Sequence, residues 1–239
     1  MFTSTSHIAL MLFSRTPREE SKYKVLDKAL SLQQQLQLYT AFLRKTRKEA
    51  EKTGLKVFII DEKRQQGNSF GERFANAFEQ LFLLGYQAVI AIGNDCLSLR
   101  EEDIRQACEQ VTADRLVIGP AKDGGVYLLG MTKEVFDRDR LTRLRWNSSH
   151  VQSDLIAYSQ LANTSLSALR LQRDADNLQD LQEVLKEPDA DVQFVRRLLF
   201  YLLNDDIYIL LPILIFPSGF YLKNTYYRGP PVKFSINIK

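Results

Sequence analysis

Apolar and polar positions fall in blocks along this chain, and the sharpest block is Ala88–Ile92, an unbroken apolar run. It is short for a helix and shows no polar alternation, so it predicts a strand buried on both faces. The apolarity stops at Gly93-Asn94-Asp95. Asp95 is therefore expected at the carboxyl end of a central parallel strand, where open α/β sheets place their ligands. Ser98, followed three residues later by Glu101, predicts a capped helix start. A second apolar run, Leu116–Ile118, ends in Gly119-Pro120 and leads to Asp123-Gly124-Gly125, after which Val126–Met131 forms a third run. Two acids thus stand just past buried strand ends, beside small residues that let a ligand approach the backbone.

The flanking pattern extends this scheme. His7–Phe13 predicts a first strand, and the segment SRTPREESKYK that follows reads as a polar loop. Asp27–Thr53 has helical character and Gly54 is a natural stop. Leu55–Ile60 predicts a second strand, and a helix near Glu72–Leu84 ends at Gly85. Strand and helix alternate, which predicts an α/β fold of three layers, α/β/α, with a mostly parallel central sheet. Further on, Thr132–Phe136 predicts a short helix, Asp137–Arg145 a charged exposed stretch, Val151–Leu161 a helix and Leu166–Leu171 a strand near an edge. Asn177 with Asp180 predicts an N-cap and acidic first turn for a helix over Leu178–Leu185.

The end of the chain differs in kind. Val192–Leu203 reads as an apolar helix, and Ile207–Phe216 is almost purely apolar but broken by Pro212. The expected organisation is one domain over residues 1–189 and an extension over residues 190–239. The apolar run is shorter than the roughly 20 residues a membrane span needs. Lengthening it toward Val192 would put Asn204, Asp205 and Asp206 in hydrocarbon, so no transmembrane segment is expected. The extension is read as packing on the main domain or as a homodimer contact.

Charge narrows the field of partners. The 239 residues carry a net charge of +3 with basic and acidic residues intermixed, which argues against a nucleic-acid partner. Two cysteines, Cys96 and Cys108, offer neither a disulfide framework nor metal-ligand spacing, which fits a reducing cytoplasm. The first residues, MFTSTSHIALMLF, lack a basic leader, so no signal peptide is expected.

Several strings together resemble a known family. GNSFGERFANAF, AVIAIGNDC, VIGPAKDGGVYLLGM, RWNSSHV and DADNLQDL occur in this order, from about Ile8 to Leu185. The combination resembles the selenodomain-associated transferases, proteins of the glycosyltransferase-A or nucleotide-diphospho-sugar transferase fold. Phospholactate guanylyltransferase and the molybdenum cofactor guanylyltransferase are distant relatives by fold. The resemblance implies an enzyme that uses an NTP or a nucleotide-sugar, with Mg²⁺ or Mn²⁺, and an acceptor that the sequence does not name. Two departures stand out. The first loop has no glycine where the family has one, and Leu97 stands where the family has proline.

Nucleotidyl and glycosyl transfer both build negative charge on a departing phosphate, which a divalent cation held by one or two carboxylates neutralises. Asp95 and Asp176 are the expected metal ligands, with Asp174 as substitute for the second place. Arg15, Lys22 and Lys24 are candidates for phosphate contact. Gly71, at a helix start, can offer amides to a nucleotide. Asp95 and Asp123 are the catalytic candidates, and Gly124, Gly125 and Trp146 are placed on the substrate side. His7, His150 and Cys96 are read as structural. A non-catalytic nucleotide-binding module that keeps the fold is the alternative.

Overall fold

A computed structural model describes residues 7–184 except Val25, Asp27, Ala29 and Asp176. Its six strands are β1 (Ile8–Phe13), β2 (Lys56–Ile60), β3 (Ala88–Ile92), β4 (Arg115–Pro120), β5 (Val126–Thr132) and β6 (Ser165–Ala168). They lie side by side in the order β2-β1-β3-β5-β4-β6. The pairs β1–β2, β1–β3 and β4–β6 are parallel, and β5 runs antiparallel to both β3 and β4. The expected mostly parallel α/β sheet is therefore present, with one reversed strand in its middle.

The strands feed both faces because successive side chains point to opposite sides. Ala9, Met11, Val89 and Ala91 pack in one core layer, and Leu10, Leu12, Ile90 and Ile92 in the other. The first layer is closed by α3 (Phe70–Leu83), α5 (Arg138–Thr142) and α6 (Val151–Leu161). The second is closed by α2 (Leu32–Lys52) and α4 (Glu101–Gln110). Burial on both sides explains why β3 is apolar throughout rather than alternating. The helix α7 (Leu178–Val184) starts where expected, with the Asp180 N–H donating to Asn177 Oδ1 at 2.9 Å.

Four local expectations need correction. The segment after β1 is not all loop, because Pro17–Tyr23 forms helix α1. Thr16 is its N-cap, Pro17 sits in the first turn, and Glu19 and Glu20 complement the helix dipole there. Helix α4 starts at Glu101, later than the Ser98 capping pattern predicts, because Asp103 Oδ2 accepts from the Arg100 N–H at 2.8 Å and fixes the start there. Thr132 completes β5 and residues 133–135 form a turn, not a helix. The edge strand is Ser165–Ala168, shorter than and offset from Leu166–Leu171. The remaining offsets are one to a few residues at element ends, where fraying blurs boundaries. Among the described residues no helix is long and apolar enough to cross a membrane. The extension from residue 190 lies outside the described residues.

Candidate functional site

The strand ends open into a cleft of about 510 Å³, within the range typical of small-molecule sites. Asp95 enters it directly from the end of β3. Asp174 enters it from the segment after β6, and Arg15 and Glu20 from the segment after β1. Asp123, Gly125 and Trp146 also line it. Residues remote in sequence therefore meet at one rim of the sheet.

Asp95 and Asp174 are brought together by backbone. The Ala175 N–H donates to the Asp95 carbonyl at 3.0 Å. A buried polar network holds that junction. Arg170 donates to both oxygens of Asp103, at 2.7 and 2.9 Å, and to the Ser98 carbonyl at 2.8 Å. Gln172 Nε2 donates to Asp103 Oδ2 at 3.1 Å, and Cys96 Sγ donates to Gln172 Oε1 at 2.9 Å. Tyr127 closes the network by donating to the Arg170 carbonyl at 3.0 Å. The segment carrying Asp174 is thus tied to the segment just after Asp95 at several points.

Charge in the cleft is mixed. Lys24 Nζ lies 3.2 Å from Asp95 Oδ2, while the buried Asp95 Oδ1 accepts no hydrogen bond from the described residues. Glu20 is buried, and that burial together with the Asp95 charge pushes its carboxyl above the ordinary glutamate range. Arg15 Nη1 lies 3.4 Å from Glu20 Oε2, and its guanidinium stacks on the Tyr23 ring at 4.5 Å. Burial and the neighbouring Asp174 charge push the Cys96 thiol up, so it stays protonated and packs in the core.

Other expected site residues have different surroundings. Lys22 pairs with Glu19 at 2.6 Å on the exposed side of α1 and does not line the cleft. Gly71 is buried in α3, where an added Cβ would overlap the Thr142 carbonyl and lie 2.9 Å from Trp146 Cδ1. Its missing side chain makes room for that packing. Asp123 Oδ1 accepts the Gly125 N–H at 2.8 Å, which shapes the turn between β4 and β5. Gly124 has φ +92° in this turn, and a Cβ there would overlap the Ser149 carbonyl. Asp176, the expected second metal ligand, lies outside the described residues. His150 precedes α6 on the surface and His7 is exposed.

Sequence reasoning passed over Glu20, Gln65 and Asn147. All three line the cleft. Gln65 donates to the carbonyls of Ser14 and Ile60, both at 3.1 Å, and so joins the ends of β1 and β2. Glu20 was readable as an acid in the first turn of a Thr-Pro helix start, but nothing local announces its burial.

The donor set suits a divalent cation of the Mg²⁺ type, which takes one or two carboxylates and fills its shell with water and phosphate oxygens. Asp95 offers a buried oxygen without a hydrogen bond, and Asp174 lines the same cleft. Among the described residues no group of three or more His, Cys, Asp or Glu gathers as a protein-only metal cage.

This fold is an α/β sheet covered by helices on both faces, with a cleft at its strand ends. A crystal structure from Desulfovibrio desulfuricans G20, provisionally named a nucleotide-diphospho-sugar transferase, superposes with a TM-score of 0.70 at 21% identity. The match covers 83% of this chain and 97% of that one. Residues 25–148 match the family described as an uncharacterized protein conserved in bacteria, DUF2064, and the chain belongs to that family. A nucleotidyl transferase from Methanothermobacter thermautotroptrophicus aligns more loosely, with a TM-score of 0.43 at 12% identity over 80% of this chain and 99% of that one. A Leptospira borgpetersenii cytidylyltransferase does likewise, at 0.41 and 12% over 90% and 99%. No curated protein matches the chain.

Proposed function

We propose that this protein transfers a nucleotidyl or glycosyl group from an NTP or nucleotide-sugar to an acceptor, with Mg²⁺ or Mn²⁺. The observation that carries this reading is the meeting of Asp95 and Asp174 at one strand-end rim, with Arg15 and Lys24 beside them. The name of the Desulfovibrio protein points the same way. In this reading Asp95 and Asp174 hold the cation, and Asp176 remains a candidate for the second place. The cation, when bound, neutralises charge on the departing phosphate. Arg15 and Lys24 add positive charge on the phosphate side. Lys24, whose Nζ lies 3.2 Å from Asp95 Oδ2, would supply its charge to a phosphate oxygen at this rim. Asp123, fixed at the cleft edge by Gly125, takes an acceptor hydroxyl.

The test is thermal melting with NTPs and nucleotide-sugars, each with and without Mn²⁺, followed by an assay for released pyrophosphate or nucleoside diphosphate. A ligand at a hundred times its dissociation constant adds about 2.7 kcal/mol, a readable shift. No shift with any nucleotide, with or without metal, overturns the proposal.

One observation favours the second reading, a nucleotide-binding module without turnover. The Lys24 ammonium 3.2 Å from Asp95 already neutralises that carboxylate without a metal. Binding without release of pyrophosphate or nucleoside diphosphate supports the module, and metal-dependent release excludes it.

A further inference from the structure

The cleft has two chemically different walls. One carries charge, in Arg15, Glu20, Asp95 and Asp174, and the other is aromatic, in Phe13, Phe70, Phe74 and Trp146. Phosphates and a cation account for the first wall. They leave the second without a role, since a pyrophosphate gains nothing from aromatic surface.

The aromatic wall is rigidly built. The Trp146 indole N–H donates to the Leu141 carbonyl at 2.8 Å. Its ring packs on Phe74 with centroids 4.9 Å apart and on Phe70 at 5.3 Å. Phe70 in turn stacks on Phe74 at 5.6 Å with planes 21° apart. Gly71 is cut back to hydrogen where Trp146 and Thr142 press against it. Yet Phe70 and Trp146 are not sealed in the core, since both are only partly buried and both line the cleft. Beside Trp146, Asn147 is held at φ +57°, a left-handed conformation that non-glycine residues seldom adopt. Asn147, Ser148 and Ser149 also line the cleft and bring amide and hydroxyl groups to the edge of the aromatic surface. Flat apolar faces with hydrogen-bonding groups at their margin suit a planar ring that carries polar substituents.

We propose that Phe70 and Trp146, with the Asn147–Ser149 turn at their edge, form a subsite for a planar ring carried by one of the two transfer partners. This inference rests on the transfer reading for its location beside the phosphates. The ring chemistry is shared by two sources, the base of the donor nucleotide and an aromatic acceptor.

Trp146 is the sole tryptophan of the chain, so its emission reports on the subsite directly. The experiment titrates the full chain with nucleosides in one arm and with 4-nitrophenol and related aryl alcohols in the other. Cyclohexanol serves as the non-planar control. Saturable quenching by nucleosides assigns the subsite to the donor base, and saturable quenching by aryl alcohols assigns it to the acceptor. Phe70→Ala weakens the effective ligand about fivefold or more, as expected for loss of a stacking partner. Phe70→Leu guards against misfolding, because it keeps apolar volume while removing the ring face. The absence of saturable quenching in both arms overturns the proposal, as does equal affinity in wild type, Phe70→Ala and Phe70→Leu. Binding of Mn²⁺-pyrophosphate, followed by calorimetry, separates the two ideas. If it fails while ring binding persists, the transfer reading falls and the subsite stands. If it succeeds while ring binding fails, the reverse holds.

Discussion

Ala175 donates its backbone N–H to the carbonyl oxygen of Asp95 at 3.0 Å. This bond joins the segment after β6 to the end of β3 and sets Asp174 beside the Asp95 rim. The proposed chemistry depends on that junction.

Asp95→Asn keeps the shape of the side chain and removes its charge. It is expected to abolish the Mn²⁺-dependent part of any nucleotide-induced rise in melting temperature while the metal-free protein stays folded. Melting curves with and without Mn²⁺ check this. An undiminished metal-dependent shift in the variant removes Asp95 from the cation site.

The Asp103–Arg170 pair should be a stability element as well as an anchor. Asp103 is only 4% exposed, so Arg170→Met leaves a buried carboxylate without its guanidinium. The expected cost is about 3 kcal/mol, the low end for a broken buried pair because Arg170 keeps some solvent contact. The double variant Asp103→Asn, Arg170→Met should recover about 1 kcal/mol or more, since no charge is then stranded. Urea denaturation of the single and double variants measures both. A single-variant cost within about 0.5 kcal/mol, the range of ordinary surface substitutions, shows that the network does not anchor this junction.

Gly124 and Gly93 make a controlled comparison. At Gly124 φ is +92° and a Cβ would overlap the Ser149 carbonyl, whereas a Cβ at Gly93 meets nothing within 4 Å. Gly124→Ala should destabilise by about 1–3 kcal/mol, combining backbone strain and overlap. Gly93→Ala should fall within about 0.5 kcal/mol of wild type. Equal melting temperatures for the two variants contradict this account of the turn.

Glu20 gives stability a pH dependence with a definite sign. Its carboxyl lies above its ordinary value of 4.5 because it is buried and faces Asp95, so the folded chain holds this proton more tightly than the unfolded one. That contribution is fully present below 4.5 and is lost as pH rises through the folded-state value. Glu20→Gln cannot ionise. The variant should gain stability relative to wild type as pH rises from 4 to 7, and denaturation at a series of pH values shows whether it does. A flat difference between the two proteins across that range assigns Glu20 no share in the pH dependence.

Much of the scaffold was legible because burial leaves a local signature. The unbroken apolarity of Ala88–Ile92 announced a strand covered on both faces, and Gly54 and Gly85, both at positive φ, marked the ends of α2 and α3. The helix α1 was also written locally, in Thr16-Pro17 followed by Glu19-Glu20, but dense charge and a proline masked it as loop. The start of α4 was misplaced because Ser98 and Glu101 match a capping pattern that Asp103, two residues beyond Glu101, fulfils instead. Of the candidate site, Asp95 and Asp123 were legible from their places after apolar runs. Glu20, Gln65 and Asn147 were not, because their access to the cleft depends on neighbours remote in sequence.

The sequence by itself determined most of the strands and helices of the described residues and that acids stand at strand ends, because periodicity and capping act over a few residues. Tertiary structure alone decided that β5 runs antiparallel between β3 and β4, that Lys24 meets Asp95, and that the Arg170–Asp103–Gln172 network brings Asp174 to the same rim. Those contacts join residues far apart along the chain. Their partners are selected by how whole elements pack, and no local pattern encodes that choice.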